Sequence, residues 1–297
     1  MTSMRFFSLM IGASLATAFT PGDRLGAQSA ADGPILAARH VVSTSTFKIF
    51  NSRGSVRVVG WDHDSVLVRG RVGAPGSFGA GGDTLGLKIS VDDPLHGAPP
   101  PTSLVIYLPR RARATIKAVN ADVDVTGIGG WIYTITGSTH VSGSISAMEI
   151  ESMRGAVDVN ARTPWLRVRG GDGPVVIRGS PEDADVSTIT GSLDIAATGV
   201  VRGQFGSVSG PVHFRGTVAS GGIYEFSNHS GETVLTLPAD VSAVLALSNV
   251  TGRIESDLPA MRPAARTAQS LHVTLGRGDA QIIVRSFKGP IRVEPER

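Results

Sequence analysis

The sequence predicts an all-β fold: a single-chain parallel β-solenoid with coils of about 18–21 residues, near the lower end of the range for repeat folds, and an irregular β cap at the N-terminal end. Three observations predict it. A glycine-anchored motif recurs at near-constant spacing, apolar and polar side chains alternate along short segments, and the composition is rich in glycine and poor in aromatic residues. Fixed periods of this size are typical of units that bury their apolar face by stacking on copies of themselves.

Seven glycines anchor the repeat, and each is followed by a short alternating strand pattern. The numbering advances by 18, 18, 18, 19, 21 and 21 along the series Gly137, Gly155, Gly173, Gly191, Gly210, Gly231 and Gly252. Residues two and four places after Gly155, Gly173, Gly191 and Gly210 are apolar and share one face of a strand, as at Val157 and Val159. A second apolar patch, which includes Ile189 and Val208, precedes the next glycine. We therefore expect two strands per coil, with both patches facing the core.

Composition narrows the function classes. The chain has 297 residues, of which 41% are hydrophobic, 5% are aromatic, 37 are glycine and none is cysteine. The absence of cysteine excludes disulfides, a lipidated-cysteine anchor, iron–sulfur clusters and thiolate zinc sites. The formal charge of +3 comes from interspersed charges of both signs, so we expect no nucleic-acid partner. Trp131 and Trp165 fall in apolar patches and are expected to help close the core.

The N-terminus predicts export. Residues 1–27 read as a signal peptide with a positive start and an apolar stretch too short to span a bilayer, and cleavage is expected after Ala27 or Ala30. A second apolar run of spanning length is absent, so we expect no transmembrane segment in the mature chain. The expected location is therefore the periplasm, the outer surface or the medium.

The remaining chain divides into three predicted regions. Residues 28–39 read as a small-residue linker, and residues 40–118 as an N-terminal β cap with the first strands. Residues 119–297 carry the solenoid repeats and end in a C-terminal cap, with 271–296 expected to cover the far end. A stack of coils needs such caps, because its last coil exposes apolar side chains and unpaired backbone groups.

One outward column of polar residues is the candidate site. It lies three places after the anchoring glycine and contains Asp124, His140, Asp158, Asp194, His213 and Glu255. The corresponding positions in other coils read Val176, Val234 and Gln281. If coils stack in register, carboxylates and imidazoles along one face could bind a divalent cation or sugar hydroxyls. The alternative is an ordinary solvent face of half-buried strands. We predict no catalytic residues, no cofactor and no dedicated metal site.

The chain resembles a bacterial family of putative adhesins, a domain of unknown function related to the head-domain adhesins of autotransporter type. The matching pieces are SRGSVRVVGWD (52–62), SLVIYLPRRARATIKAVNADVDVTG (103–127) and the Ser/Thr-Gly-x-apolar repeats, so that the resemblance covers about 40–297. It implies an extracytoplasmic β-solenoid with an adhesive or envelope role, and it offers no catalytic residues to carry over.

Three functions remain open at this point. The preferred one is a non-enzymatic, secreted or envelope-associated, adhesin-like surface whose partner is an envelope protein or a polysaccharide. The second is a carbohydrate-active β-helix enzyme, a lyase or hydrolase that uses the Asp/His column. The third is a structural or sensory envelope protein that binds a partner protein along a solenoid edge. Oligomeric state is not indicated by the sequence.

Overall fold

The computed structural model describes residues 34–74, 76–92, 101–258 and 269–296, and within them it contains 22 β-strands and no helix. The prediction of an all-β fold is confirmed, whereas the predicted signal peptide lies outside the described residues. No described segment forms a helix that could cross a membrane. The strands are β1 (Pro34–His40), β2 (Thr46–Trp61), β3 (Ser65–Val72), β4 (Ser77–Gly82), β5 (Gly86–Asp92), β6 (Thr102–Pro109), β7 (Arg113–Thr126), β8 (Gly129–Thr136), β9 (Thr139–Ser144), β10 (Met148–Ser152), β11 (Val157–Gly170), β12 (Val175–Thr188), β13 (Leu193–Ala197), β14 (Arg202–Ser207), β15 (Val212–Arg215), β16 (Ile223–Asn228), β17 (Thr233–Leu237), β18 (Ala243–Asn249), β19 (Ile254–Ser256), β20 (Ser270–Leu275), β21 (Ala280–Ser286) and β22 (Ile291–Pro295).

Most strands belong to one of two parallel ladders. The post-glycine ladder contains, in spatial order, β6, β2, β7, β9, β11, β12, β13, β15, β17, β22 and β19. The pre-glycine ladder contains β5, β2, β7, β8, β10, β11, β12, β14, β16, β21 and β18. The long strands β2, β7, β11 and β12 take part in both, and the pairings β7–β8–β10–β11–β9–β7 close into a ring of five parallel strands.

Through the middle of the chain, the post-glycine strands pair in parallel at the predicted repeat steps. Val157 pairs with Val175, and Val175 pairs with Leu193, so each pairing advances by the shorter of the predicted repeat steps. Leu193 pairs with Val212 and Val212 with Thr233, which reproduces the predicted lengthening of the later steps. The sequence period therefore equals the number of residues between a position in one strand and its paired position in the next strand of the ladder.

The core lies between the two ladders and is one continuous apolar cluster. The post-glycine positions predicted to face inward are buried, and none is more than 2% exposed among Val123, Val125, Val157, Val159, Val175, Ile177, Leu193, Ile195, Val212 and Phe214. In the longer coils that follow, aromatic side chains replace aliphatic ones. Phe205 and Phe226 of the pre-glycine ladder contact Phe214 of the opposite ladder, with ring centroids 6.3 and 5.4 Å apart. A longer coil encloses a wider core, and larger side chains fill it.

The N-terminal end has a different coil order from the one the sequence predicts. Strand β2 already forms a full parallel coil: Val56 pairs with Val123 of β7 on one side and with Leu104 of β6 on the other. The later strands β5 and β6 thus lie outside β2, and β3 and β4 cover them in antiparallel pairings. Residues 34–39 of the predicted linker belong to β1, which pairs antiparallel with β3. The predicted boundary at 118 falls inside β7.

At the C-terminal end, too, the order of the coils in space differs from their order along the chain, and we call such coils exchanged. The prediction that 271–296 caps the far end is therefore wrong for β21 and β22. These strands lie between the coil of β16 and β17 and the coil of β18 and β19. Only β20 lies outside, antiparallel to β18. The last predicted repeat step, from Gly231 to Gly252, is therefore not a contact between neighbouring coils. Gly289 takes the place next to Gly231.

Candidate functional site

The predicted Asp/His column exists as a line of register partners on the post-glycine ladder. Asp124 pairs with His140, His140 with Asp158, and Asp194 with His213. Val176 and Val234 interrupt the column, as the sequence predicts; Arg57 lies next to Asp124, and Arg292 lies between Val234 and Glu255. Glu255 is next to Arg292. Gln281 does not belong to it, because β21 lies in the pre-glycine ladder beside Ile223 and Val244.

Each carboxylate of the column has a basic partner within the protein, an arginine for Asp124, Asp158 and Glu255 and a histidine for Asp194. Asp124 accepts a hydrogen bond from Arg57 Nε at 3.1 Å, and Asp194 Oδ1 lies 3.0 Å from His213 Nδ1. The remaining ion pairs join Asp158 to Arg178 and to His140, and Glu255 to Arg253 and Arg292. Surface pairs of this kind contribute about 0–1 kcal/mol each. The carboxylates of the column are therefore paired with basic side chains of the protein itself. The role of the column as a ligand-facing site stays a prediction.

No group of three or more His, Asp or Glu side chains in the described ranges is placed to hold a metal ion. The acids of the column are separated by arginines, histidines and valines, so a shared cation would have to displace existing ion pairs. Two carboxylates on one face are the minimum for glycoside hydrolysis. Asp158 and Asp194 are separated by the strand of Val176; Asp158 is paired with Arg178, and Asp194 lies within hydrogen-bond distance of His213.

A second ion-pair network, not predicted from the sequence, lies on the pre-glycine ladder. Arg169 donates two hydrogen bonds to Asp185, at 2.8 and 2.7 Å, and Arg167 Nε donates to the same carboxylate at 3.3 Å. Glu149 lies 3.8 Å from Arg167. The sequence signal that could have predicted this network is a pair of opposite charges one repeat step apart, as in Arg167 and Asp185. The hydrogen bonds from Arg169 lower the pKa of Asp185, and they raise the pKa of Arg169.

We expect Asp185→Asn to lower the free energy of unfolding by about 1 kcal/mol at pH 7, since partial exposure limits such networks to that order. The pKa of Asp185 is below its usual value in the folded state. Its stabilisation is thus complete above the unfolded pKa, about 4, and is lost as the pH falls through the folded pKa. Urea unfolding from pH 7 to pH 2 should show the deficit shrinking with acid.

The control for this prediction is Asp240→Asn. Asp240 is exposed and forms no ion pair with another described residue, so we expect no change at any pH. A deficit of Asp185→Asn that persists unchanged at pH 2 would contradict the assignment of the network to the ionised carboxylate.

Most of the bends that join the two ladders share one tetrapeptide pattern: a buried Ser, Thr or Asn, two variable residues, and the anchoring glycine. Thr188 Oγ1 donates to the carbonyl of Gly191 at 2.9 Å, and Ser286 Oγ donates to that of Gly289 at 2.6 Å. Asn228 Oδ1 accepts the Gly231 amide at 2.9 Å. These side chains satisfy backbone groups that the sharp bend removes from the ladders.

The second residue of most bend tetrapeptides points outward, and we call this row the bend ridge; the buried Gly171 interrupts it. In spatial order its members are Val119, Ile135, Met153, Gly171, Ile189, Val208, His229, Phe287 and Val250. Ile189 and Val208 are 54% and 51% exposed, so the prediction that they face the core is wrong. Their carbonyls accept hydrogen bonds from the next coil, at Ser209 and Ser230, which fixes the stacking of the row. A shallow cavity of 740 Å³ lies beside Met153, Ile189 and Val208.

A third feature is an aromatic and cationic depression on the pre-glycine ladder. Trp131 is only half-buried, so the prediction that it closes the core is wrong, and Trp165 is half-buried as well. The Trp131 ring stacks on Tyr133 with centroids 6.1 Å apart, and its Nε1 donates to Glu151 at 3.1 Å. The adjoining cavity has a volume of 560 Å³ and is lined by Lys48, Ile49, Phe50, Lys88, Ser90, Thr115, Lys117 and Trp131. We call this surface the lysine face.

Comparison with known proteins gives structural likeness that is only distant. No family model matches the chain, and no curated protein matches it. The chain is similar to a crystal structure described as a putative cell adhesion protein from Clostridium sporogenes, with 10% sequence identity and a TM-score of 0.28. The match covers 89% of this chain and 100% of that chain. At this TM-score the likeness carries no argument about fold or function.

Proposed function

We propose that this protein is a non-enzymatic, exported, envelope-associated and adhesin-like β-solenoid that binds a partner protein along the bend ridge. The observation that supports this proposal most directly is the bend ridge. Exposed apolar side chains occupy this position in most coils, at Val119, Met153, Ile189, Val208, Phe287 and Val250, with the buried Gly171 and the exposed His229 among them. Exposed apolar patches of this extent typically mark interaction sites.

The solenoid part of the proposal is supported by the register of the two ladders. From β9 to β17 each coil pairs in parallel with the coil before it, at steps that the sequence repeat predicts. The exchanged coils at the two ends preserve this parallel pairing while changing the order of the chain. Such a stack is a rigid support on which side chains of one position form straight rows.

A protein is the partner that the ridge fits best, because the apolar row has a polar margin. The third residue of each bend lies next to the row and is charged or hydroxylated, as at Arg154, Asp172, Thr190, Ser209 and Lys288. Protein interfaces combine an apolar centre with a polar rim in this way. With neighbouring coils about 4.8 Å apart, the nine ridge positions extend over roughly 38 Å.

The ion pairing of the Asp/His column supports a binding role over an acid–base one. A general acid or base needs a carboxyl group that is free to approach a substrate. In this column the carboxylates contact Arg57, Arg178, His213 and Arg292 instead. We therefore propose that the column contributes to the stability and solubility of the stacked strands.

Site-specific photo-crosslinking in the producing cells tests the proposed function. We expect a photoreactive amino acid at Val208 to give one discrete protein adduct, and the matched position Val201 to give none. Val201 is 52% exposed but lies off the ridge. Ile189→Ser should weaken the Val208 adduct about fivefold to tenfold, because burying half of an exposed isoleucine contributes about 1 kcal/mol.

Two outcomes would contradict the proposal. One is an adduct of the same size and yield from Val208 and Val201, which would indicate nonspecific contact. The other is an adduct from Val208 that Ile189→Ser leaves unchanged, since the ridge would then not contribute to binding. Ile189 is exposed, so its substitution is expected to leave the free energy of unfolding within about 0.5 kcal/mol of the original.

A further inference from the structure

Three of the four lysines in the chain converge on one cavity. The sequence contains Lys48, Lys88, Lys117 and Lys288, whereas its other basic residues are arginines. The first three line the 560 Å³ depression of the lysine face, although they come from three different strands, β2, β5 and β7. Elsewhere in the described chain many arginines are matched to nearby carboxylates, as in the column and in the network of Asp185.

The lysine face concentrates positive charge without internal compensation. Lys48 and Lys88 are register partners on adjacent parallel strands, and Lys117 lies on the next coil beside Phe50. None of the three forms an ion pair with a described residue; Lys117 instead lies over the Trp131 ring, 5.4 Å from its centroid. Like charges directly opposite in a sheet are destabilising. A bound anion would remove this repulsion.

The shape of the lysine face fits an extended chain that crosses the strands. At one end Gly79 and Gly81 of β4 are the register partners of Ser90 and Lys88, so no side chain closes the depression there. At the other end Trp131 and Tyr133 form a stacked aromatic wall. The surface spans β4, β5, β2, β7 and β8, which is roughly 19 Å at the usual strand spacing.

We propose that the lysine face binds an acidic polysaccharide, a sugar chain that carries carboxylate groups. Lysine ammonium groups are compact charges on flexible stems, and they can follow carboxylates spaced along such a chain. The apolar faces of sugar rings would contact Phe50, which is 38% exposed, and the half-buried Trp131. This inference names a second ligand class for the proposed binding role and rests on that role, but it uses a surface separate from the bend ridge.

A nucleic acid is the competing polyanion, and the observations favour the sugar chain. Single-strand binding surfaces combine a continuous basic groove with several open aromatic faces for successive bases. Here one side of Trp131 is covered by Lys117, and the neighbouring coil brings the carboxylates of Glu149 and Glu151 next to Trp131 and Tyr133. With one side of Trp131 covered, the face lacks the series of open aromatic rings on which successive bases would stack.

The test titrates the purified full chain with polygalacturonate oligosaccharides, with neutral dextran as the uncharged control. We expect polygalacturonate to bind, with tryptophan fluorescence changing and affinity falling as salt rises, and dextran not to bind. The double variant Lys48→Gln/Lys88→Gln should bind at least about tenfold more weakly and with a smaller salt dependence. Because it removes like-charge repulsion, its Tm should equal or exceed that of the unaltered protein.

Lys288→Gln is the matched control, since it removes the one lysine outside the face, on the margin of the bend ridge. It should leave polygalacturonate binding unchanged, as should the ridge variant Ile189→Ser. Equal loss in Lys288→Gln and in the double variant would overturn the inference, as would tighter binding of an oligothymidylate than of polygalacturonate. Absence of binding to polygalacturonate would also overturn it. The photo-crosslinking result at Val208 is independent of all these outcomes, so failure here is distinguishable from failure of the proposed function.

Discussion

Gly191→Ala is expected to lower the free energy of unfolding by about 3 kcal/mol, at the upper end of the usual cost of overpacking. A Cβ at position 191 would overlap the carbonyl oxygen of Gly173, one coil before. A Cβ at any of the stacked bend glycines would likewise overlap the carbonyl oxygen of the bend glycine one coil before it. These glycines are Gly155, Gly173, Gly191, Gly210, Gly231 and Gly289. The obstructing atom is a backbone oxygen and not the end of a flexible side chain, so the clash can be relieved only by shifting the backbone of one coil away from the other.

Urea unfolding measures this effect, with Gly81→Ala as the matched control. Gly81 lies in β4, and a Cβ there would meet no atom within 4 Å. The control should therefore unfold within about 0.5 kcal/mol of the unaltered protein. A cost of Gly191→Ala no larger than that of Gly81→Ala would show that the coils can separate locally, and it would contradict the close approach as the reason for glycine.

The middle of the fold was predictable from sequence because its determinants are local and repeated. Each coil carries its own bend glycine and its own inward pair, such as Val175 and Ile177, and the next coil repeats them one period later. That period then fixes the register, the buried face and the outward column together. The outward column that includes Asp158 and Asp194 followed from the same offset, although its ion pairs with Arg178 and His213 depend on side-chain conformation.

The exchanged coils at the ends were not predictable in this way. The tetrapeptides ending in Gly252 and Gly289 both fit beside Gly231, since each has a buried polar residue, an outward apolar residue and a glycine. Nothing local distinguishes which of them is the neighbour. The choice depends on how the whole C-terminal segment closes the stack, with β20 returning antiparallel along β18.

The surfaces that support the proposed functions were missed for a different reason. Ile189 and Val208 are apolar and adjacent to inward positions, so hydrophobicity alone places them in the core. The bend rotates them outward, while the small polar residue before each of them, Thr188 or Ser207, turns inward. Likewise Lys48 and Lys88 are far apart in sequence, and only the exchanged order of β2 and β5 makes them neighbours. The buried Ser, Thr or Asn three places before most bend glycines was the available signal for the ridge.

Phe226→Ala is expected to lower the free energy of unfolding by about 4 kcal/mol. The side chain is 1% exposed, and its ring lies 5.3 Å from Phe205 and 5.4 Å from Phe214. Truncation removes buried apolar area and two aromatic contacts, and it leaves a cavity among the strands joined by the longer repeat steps. The parallel coils on both sides hold the backbone in place, so the cavity is expected to collapse only in part.

Phe287→Ala is the matched control, and guanidinium unfolding of both variants makes the comparison. Phe287 is 41% exposed on the bend ridge, where it stacks on His229 with the ring centroids 5.0 Å apart. Its loss should cost about 0.5–1 kcal/mol, because solvent already contacts much of the ring. Equal costs for the two variants would contradict the view that aromatic residues are placed in the longer coils to fill a wider core. A gap of about 3 kcal/mol would support it, and would separate the phenylalanines that hold the stack together from the one that the ridge presents to a partner.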